Sequence, residues 1–145
     1  MAPIADTRAQ TIIEMNVFLI ENSIPIRERL KATIEELGGC VVGEGTVQDE
    51  ILVDLKKAKP NIVIIDLSVV VGDGPAMLRR IKLVHPNIVI VIFTNYGNRQ
   101  YQKACLLSGA DYFIDKSSDY WVLVNLLRSL KDALSRSIGG ITSEA

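Results

Sequence analysis

The residues of this chain best suited to chemistry stand at the ends of short apolar runs. Glu21 and Asn22 follow the run 17–20, Asp66 follows 62–65, Thr94 follows 88–93, and Lys116 comes two residues after 112–114. If those runs are neighbouring strands pointing the same way, two carboxylates, an amide, a hydroxyl and an ammonium converge on one rim. Carboxylate and carbonyl oxygens are hard ligands suited to Mg²⁺, which keeps several waters and bridges to a phosphate oxygen. A lysine and a hydroxyl beside them would stabilise charge spread over transferring oxygens, while a carboxylate serves as nucleophile. The set outlines a phosphoryl-transfer site.

The elements that must position these residues are legible from periodicity. The runs 17–20, 62–65 and 88–93 are continuously apolar and rich in β-branched residues, as strands of a parallel sheet covered on both faces require. Weaker strand signals lie at 40–42 and 112–114. Between them, Ile26, Leu30, Ile34 and Leu37 recur at helical spacing until Gly38 and Gly39 stop the run. Further helices are expected over 47–57, after Gly74 through Met77, Leu78 and Ile81, over 99–107, and along the stripe Leu123, Leu127, Leu130 and Leu134 with Asp119 as N-cap. Five strand–helix alternations with right-handed crossovers predict an α/β fold of the flavodoxin-like (βα)5 type, a doubly wound parallel sheet in strand order 2-1-3-4-5. Such sheets bind ligands beyond the carboxyl ends of their strands, where the five polar residues stand.

With 145 residues the chain has room for one ordinary domain. We divide it into an N-terminal extension, 1–14, expected to be flexible, a domain over 15–135 and a tail, 136–145. Hydrophobic residues make up 48% of the chain, yet no run approaches the roughly 18 to 20 apolar residues that cross a bilayer. A net charge of -1 gives no basic footprint for direct nucleic-acid binding. Residues before Met15 lack the layout of a secretory signal, so the expectation is a soluble cytoplasmic protein with no membrane partner. Cys40 and Cys105 have no metal-ligand spacing and read as buried thiols. His85, ahead of Pro86, reads as a surface loop residue without a catalytic role.

Five sequence pieces, in order, carry a family resemblance. They are Val17-Phe18-Leu19-Ile20-Glu21-Asn22; the stretch 60–67 with Asp66; Gly72-Asp73-Gly74; Ile92-Phe93-Thr94; and Gly109-Ala110-Asp111-Tyr112-Phe113-Ile114-Asp115-Lys116. Over about 15–134 the chain resembles the receiver domain of bacterial two-component response regulators, of the CheY-like superfamily. The resemblance implies Asp66 as phosphoacceptor, Thr94 as the hydroxyl that bonds the phosphoryl oxygen, and Lys116 as the lysine that pairs with it. It implies Mg²⁺ held by Glu21, Asn22, Asp66 and the backbone carbonyl of Ser68, with Thr94 and Phe113 as switch residues. It also implies a sensor histidine kinase as partner, a downstream protein, a possible homodimer, and output through the surface of the fourth helix, fifth strand and fifth helix. Ser68 and Tyr96 occupy positions that tune the lifetime of the phosphorylated state in similar domains.

Three positions depart from the family pattern. Asn22 stands where an aspartate usually contacts the metal. Losing a unit charge at about 4 Å forfeits on the order of a few kcal/mol at an effective dielectric near 20. Weaker Mg²⁺ binding and slower phosphorylation are therefore expected. Val70 and Ser117 stand where proline is common. Taken singly, Asp66 would also fit a turn cap and Glu21–Asn22 a loop and N-cap pair. Two other functions compete: a phosphorylation-independent adaptor in which Asp66 is vestigial, and a flavin- or nucleotide-binding protein. The latter lacks the glycine-rich loop after its first strand, where Glu21-Asn22-Ser23-Ile24-Pro25 stands instead.

Overall fold

Apolar runs of four to six residues, each ended by a polar residue, fold as strands because only a sheet buried on both faces hides every side chain of such a run. The computed structural model describes residues 14–45, 48–70, 72–95 and 97–144, and their side chains except at 48–49 and 137–144. The order is β1 (Asn16–Ile20), α1 (Ile24–Glu36), β2 (Cys40–Glu44), α2 (Gln48–Ala58), β3 (Ile62–Ile65), a 3₁₀ turn (Leu67–Val69), α3 (Gly74–Val84), β4 (Val89–Thr94), α4 (Arg99–Leu107), β5 (Tyr112–Asp115) and α5 (Tyr120–Glu144). The strands form one parallel sheet in the order β2-β1-β3-β4-β5, the expected flavodoxin-like topology.

Alternation along each strand divides the core in two. Phe18, Ile20, Val63, Ile65, Ile90 and Ile92 face the helices α2, α3 and α4, joining Ile51, Leu55, Met77, Leu78, Ile81 and Cys105. Val17, Leu19, Ile62, Ile64, Val91 and Phe93 face α1 and α5, joining Leu30, Ile34, Leu123 and Leu127. A slip of one residue in β3 would exchange the two sets, so packing fixes the register as well as the fold.

Local chemistry sets the helix limits. Ser23 caps α1 by accepting a hydrogen bond from the Ile26 N–H, so the cap is Ser23 and not the Glu21–Asn22 pair. Asp73 and Asn98 cap α3 and α4, and Asp119 accepts from the Trp121 N–H at the start of α5. At the other end of α1, Gly38 takes φ +82° while its N–H bonds the Glu35 carbonyl and that of Gly39 bonds Ile34. Gly109, at φ +123°, follows the end of α4, where the next N–H, that of Ala110, bonds the Cys105 carbonyl. Both are positions where a side chain would be strained.

Several expectations need correction. Cys105 is buried as expected, but Cys40 is exposed, because β2 is an edge strand whose first residue lies at the open margin of the sheet. The backbone of the last helix runs on past its leucine stripe and stays helical through Glu144. His85 caps the end of α3, and its Nε2 is buried without a partner among the described residues. The extension 1–14 lies, except for Glu14, outside the described residues. No helix among them is long and apolar enough to cross a membrane.

If the two packed faces hold the sheet, Ile64→Ala, at a side chain 1% exposed, should cost about 2–5 kcal/mol in a urea unfolding experiment. Leu107→Ala, at 79% exposure, should stay within about 0.5 kcal/mol. Equal effects would contradict this account of the core.

Candidate functional site

The parallel register brings the strand ends level. Ile20 pairs with Ile65 and Ile65 with Ile92, so Glu21 and Asp66 both emerge one step beyond paired positions. The ladder continues into the site. The Asp66 N–H donates to the Ile20 carbonyl at 2.8 Å, and the Lys116 N–H donates to the Thr94 carbonyl at 3.0 Å. Backbone hydrogen bonds to the neighbouring strands therefore hold two of the polar residues before their side chains make any contact.

Those side chains meet. The Lys116 ammonium lies 2.6 Å from Asp66 Oδ2 and 2.8 Å from Glu21 Oε1, bridging the two carboxylates. Asp66 Oδ1 accepts from the Thr94 hydroxyl at 2.7 Å and from the Ser68 N–H at 2.9 Å. Glu21 Oε2 accepts from the Ser23 N–H at 3.0 Å. Glu21 and Asp66 are 2% and 5% exposed, so both carboxylates are buried, hydrogen-bonded and share one ammonium. Asp66 does cap the 3₁₀ turn through Ser68, but the cap uses one bond of its three.

The electrostatics follow from burial set against these bonds. Burial alone would push the Asp66 carboxyl up. Lys116, then Thr94, then Ser68 reverse that effect and hold the carboxyl below the ordinary carboxylate range. Burial likewise works to lower the Lys116 ammonium, and the bonds to Asp66 and Glu21 outweigh it and raise its pKa. The resting rim thus contains an ionised carboxylate and a firmly protonated lysine.

Glu21, Asp66, Thr94 and Lys116 are brought together. Asn22 and Ser68 stand exposed beside them. Phe113 is half-buried three residues before Lys116 and, like Tyr101, packs against the core on the α2–α4 side, near Gly97 of the β4–α4 loop. Tyr96 lies outside the described residues. Val70, where proline is common in the family, packs into the core beside Leu67 and Val69. The Ser117 departure is also explained locally. Asp115 accepts from both the N–H and the hydroxyl of Ser117 at 2.8 Å, and proline would lack that N–H.

Sequence reasoning missed the residues that hold Glu21 in place. Arg27 Nη1 donates to the Glu21 carbonyl at 3.1 Å, and its Nε pairs with Glu44 Oε1, also at 3.1 Å. Lys31, one helical turn on, takes Glu44 Oε2 at 3.1 Å. The signal was present as Arg27 and Lys31 four apart on one helix face, with Glu44 at the end of the strand that pairs with β1.

The donor set suits a small hard cation. Glu21 and Asp66 already direct oxygens at one positively charged atom, and Asn22 and Ser68 could add neutral oxygens. With Asn22 in place of an acid, no group of three or more His, Cys, Asp or Glu capable of holding a metal forms among the described residues.

Comparison with known proteins agrees with this geometry. The response regulator receiver domain family model matches residues 17–128. The chain is 28% identical over 100 residues to chemotaxis protein CheY of Thermotoga maritima, covering 69% of this chain and 83% of that protein. It is 32% identical over 83 residues to protein-glutamate methylesterase/protein-glutamine glutaminase 3 of Hahella chejuensis, covering 57% of this chain and 24% of that protein. The chain spans between 24% and 56% of the length of the first curated relatives it matches. Among solved structures, the CheY-like receiver domain protein of Methanospirillum hungatei has the same fold, with a TM-score of 0.74 at 18% identity, over 86% of this chain and 99% of that one. The parallel 2-1-3-4-5 sheet, the polar rim at its carboxyl edge and a family match over most of the chain lead to one assignment: the chain belongs to the response regulator receiver domain family of two-component signalling.

Proposed function

We propose that Asp66 accepts a phosphoryl group from a sensor histidine kinase or a small phosphodonor in the cytoplasm. The observation that carries this reading is the convergence of Glu21, Asp66, Thr94 and Lys116, with Lys116 bridging both carboxylates at 2.6 and 2.8 Å. An Asp66 carboxylate oxygen attacks the donor phosphorus, the bond from phosphorus to the donor's leaving group breaks, and an acyl phosphate forms. The depressed Asp66 carboxyl supplies an ionised nucleophile at neutral pH without a general base. Lys116 and Thr94, which donate to Asp66 in the resting site, then donate to the phosphoryl oxygens. Mg²⁺, held by Glu21, Asn22, Asp66 and the Ser68 carbonyl, would neutralise charge on those oxygens. The chain itself provides the groups for transfer and for hydrolysis of its acyl phosphate, and it has no other enzymatic role in this reading.

Movement of Thr94 toward a phosphoryl group vacates space next to β4, and the half-buried Phe113 stands where it can respond. The two side chains bias the surface formed by α4, β5 and α5, through which a downstream protein reads the signal. A second reading, the phosphorylation-independent adaptor, is favoured by one observation. Lys116 bridges the two buried carboxylates with its one ammonium, and Asn22 carries no charge that would draw a metal in.

Incubation with acetyl phosphate and Mg²⁺ should yield a phosphoprotein that disappears in Asp66→Ala. No labelled species with either acetyl phosphate or a phosphorylated histidine kinase would overturn this function in favour of the adaptor.

Asn22→Asp restores a unit charge to the rim, so it should lower the Mg²⁺ concentration giving half-maximal labelling by roughly tenfold and speed labelling. An unchanged Mg²⁺ dependence would remove Asn22 from the metal site.

Because its folded pKa is depressed, Asp66 stabilises the protein above the ordinary carboxylate range, and that contribution is lost as pH falls through the folded value. In Lys116→Met, burial should dominate and raise the Asp66 pKa. The acid limb of stability, followed by urea midpoints across pH, should then move to higher pH; an unmoved limb would contradict the pairing.

A further inference from the structure

Between Asp73 and Asp111 the chain has no acidic residue, although it holds 17 in all. The same stretch carries Arg79, Arg80 and Lys82 on α3 and Arg99 and Lys103 on α4. Lys82 is committed within the fold, donating to Asp111 at 3.0 Å and to the Ile88 carbonyl at 2.6 Å. The other four are exposed, and none makes an ion pair among the described residues. A chain with a net charge of -1 thus concentrates unneutralised positive charge on two neighbouring helices.

Spacing orders these charges. Arg79 and Leu83 are four residues apart on α3, and Lys103 and Leu107 are four apart on α4, so each helix sets a cation one turn from a leucine on the same face. The Arg79 guanidinium donates to the Ser108 hydroxyl at 2.8 Å, which ties the two helices together beside Leu107. Leu83 is 81% and Leu107 79% exposed, more than any other large hydrophobic side chain among the described residues. A single exposed leucine is ordinary, but two on adjoining helices, each with a cation one turn away, form a patch with a pattern. This patch follows the α3–α4 seam, whereas the output surface proposed above is formed by α4 with β5 and α5.

The pattern decides the occupant. Positive charge without a compensating acid calls for an anionic partner. Nucleic acid would pair its phosphates with the cations and leave both leucines in water. A lipid surface would take the charge, but no exposed side chain of α3 or α4 is the tryptophan or tyrosine that seats a protein at a bilayer interface. A helix that carries acids and apolar residues one turn apart answers both features at once. We propose that the α3–α4 seam docks an acidic amphipathic helix of another protein, with its carboxylates on Arg79 and Lys103 and its apolar side chains against Leu83 and Leu107. The bond to Ser108 occupies one of the five N–H donors of Arg79, so the guanidinium keeps donors for an incoming carboxylate while its position is fixed. The contact needs no phosphoryl group at Asp66.

The test follows the backbone amides of the isotope-labelled full chain by NMR during titration with a synthetic helical peptide that carries glutamate and leucine four residues apart along one face. No phosphodonor is present, so the outcome is separate from that of the labelling experiment. Signals of α3 and α4 should shift, and added salt should weaken the binding. Lys103 and Leu83 are both exposed, so Lys103→Glu and Leu83→Ser should retain the fold, as circular dichroism would verify. Each should raise the dissociation constant by roughly tenfold or more. Lys103→Glu should also improve binding of a peptide with lysine in place of every glutamate, while Trp121→Ser on α5 should change neither affinity. Absence of binding up to millimolar peptide overturns the proposal. Equal binding of the lysine peptide by the wild-type chain overturns it as well, as do shifts confined to other elements or an affinity that Lys103→Glu or Leu83→Ser leaves intact. Binding of phosphatidylglycerol vesicles without binding of the glutamate peptide would assign the seam to a lipid surface and overturn it too.

Discussion

Two buried carboxylates side by side are unstable unless something positive stands between them, and in this chain that something is Lys116. Without it, Glu21 and Asp66 would repel at short range in a poorly solvated site. The ammonium lies 2.8 Å from one and 2.6 Å from the other, and Asp66 is held below the usual carboxylate range. The same contact keeps the Asp66 carboxylate ionised and, in the proposed function, places a cation where phosphoryl charge would appear.

The rest of the fold serves to hold that ion-paired rim in register. Glu21 and Lys116 are 95 residues apart in sequence, and it is the parallel sheet, with β1, β3, β4 and β5 side by side, that brings their ends to one edge. The two apolar faces lock each strand against slipping, and the ladder bonds at Asp66 and Lys116 extend that rigidity into the site. Arg27 and Lys31 continue the support outward by tying Glu44 of the edge strand to α1 and to the Glu21 carbonyl. A binding site set on a rigid frame of this kind needs little rearrangement before reaction.

Much of this could be read in advance. The strand runs, the helical spacing and the polar residues at the run ends are local features, and each survived folding with shifts of a residue or two. Features that depend on strand order were harder to see. Cys40 looked like a core thiol until β2 proved to be the edge strand. Glu44 gained its meaning only from lying beside β1, and Ser23 took the capping role because its side chain, not that of Asn22, reaches the free N–H of Ile26. The leucine stripe showed where α5 is packed, while its backbone runs on to Glu144. The stacking of the Arg29 guanidinium on the Tyr120 ring, 3.7 Å from its centroid, was invisible for a similar reason, since the two meet only after α1 and α5 dock on the same face of the sheet.

The central claim is that Asp66 is the carboxylate that takes the phosphoryl group. Borohydride reduction of the acetyl phosphate-treated protein converts an aspartyl phosphate to homoserine, and peptide mass spectrometry then locates it. The account predicts homoserine at position 66 and at no other carboxylate; conversion at Glu21, at Asp73 or at none would contradict it.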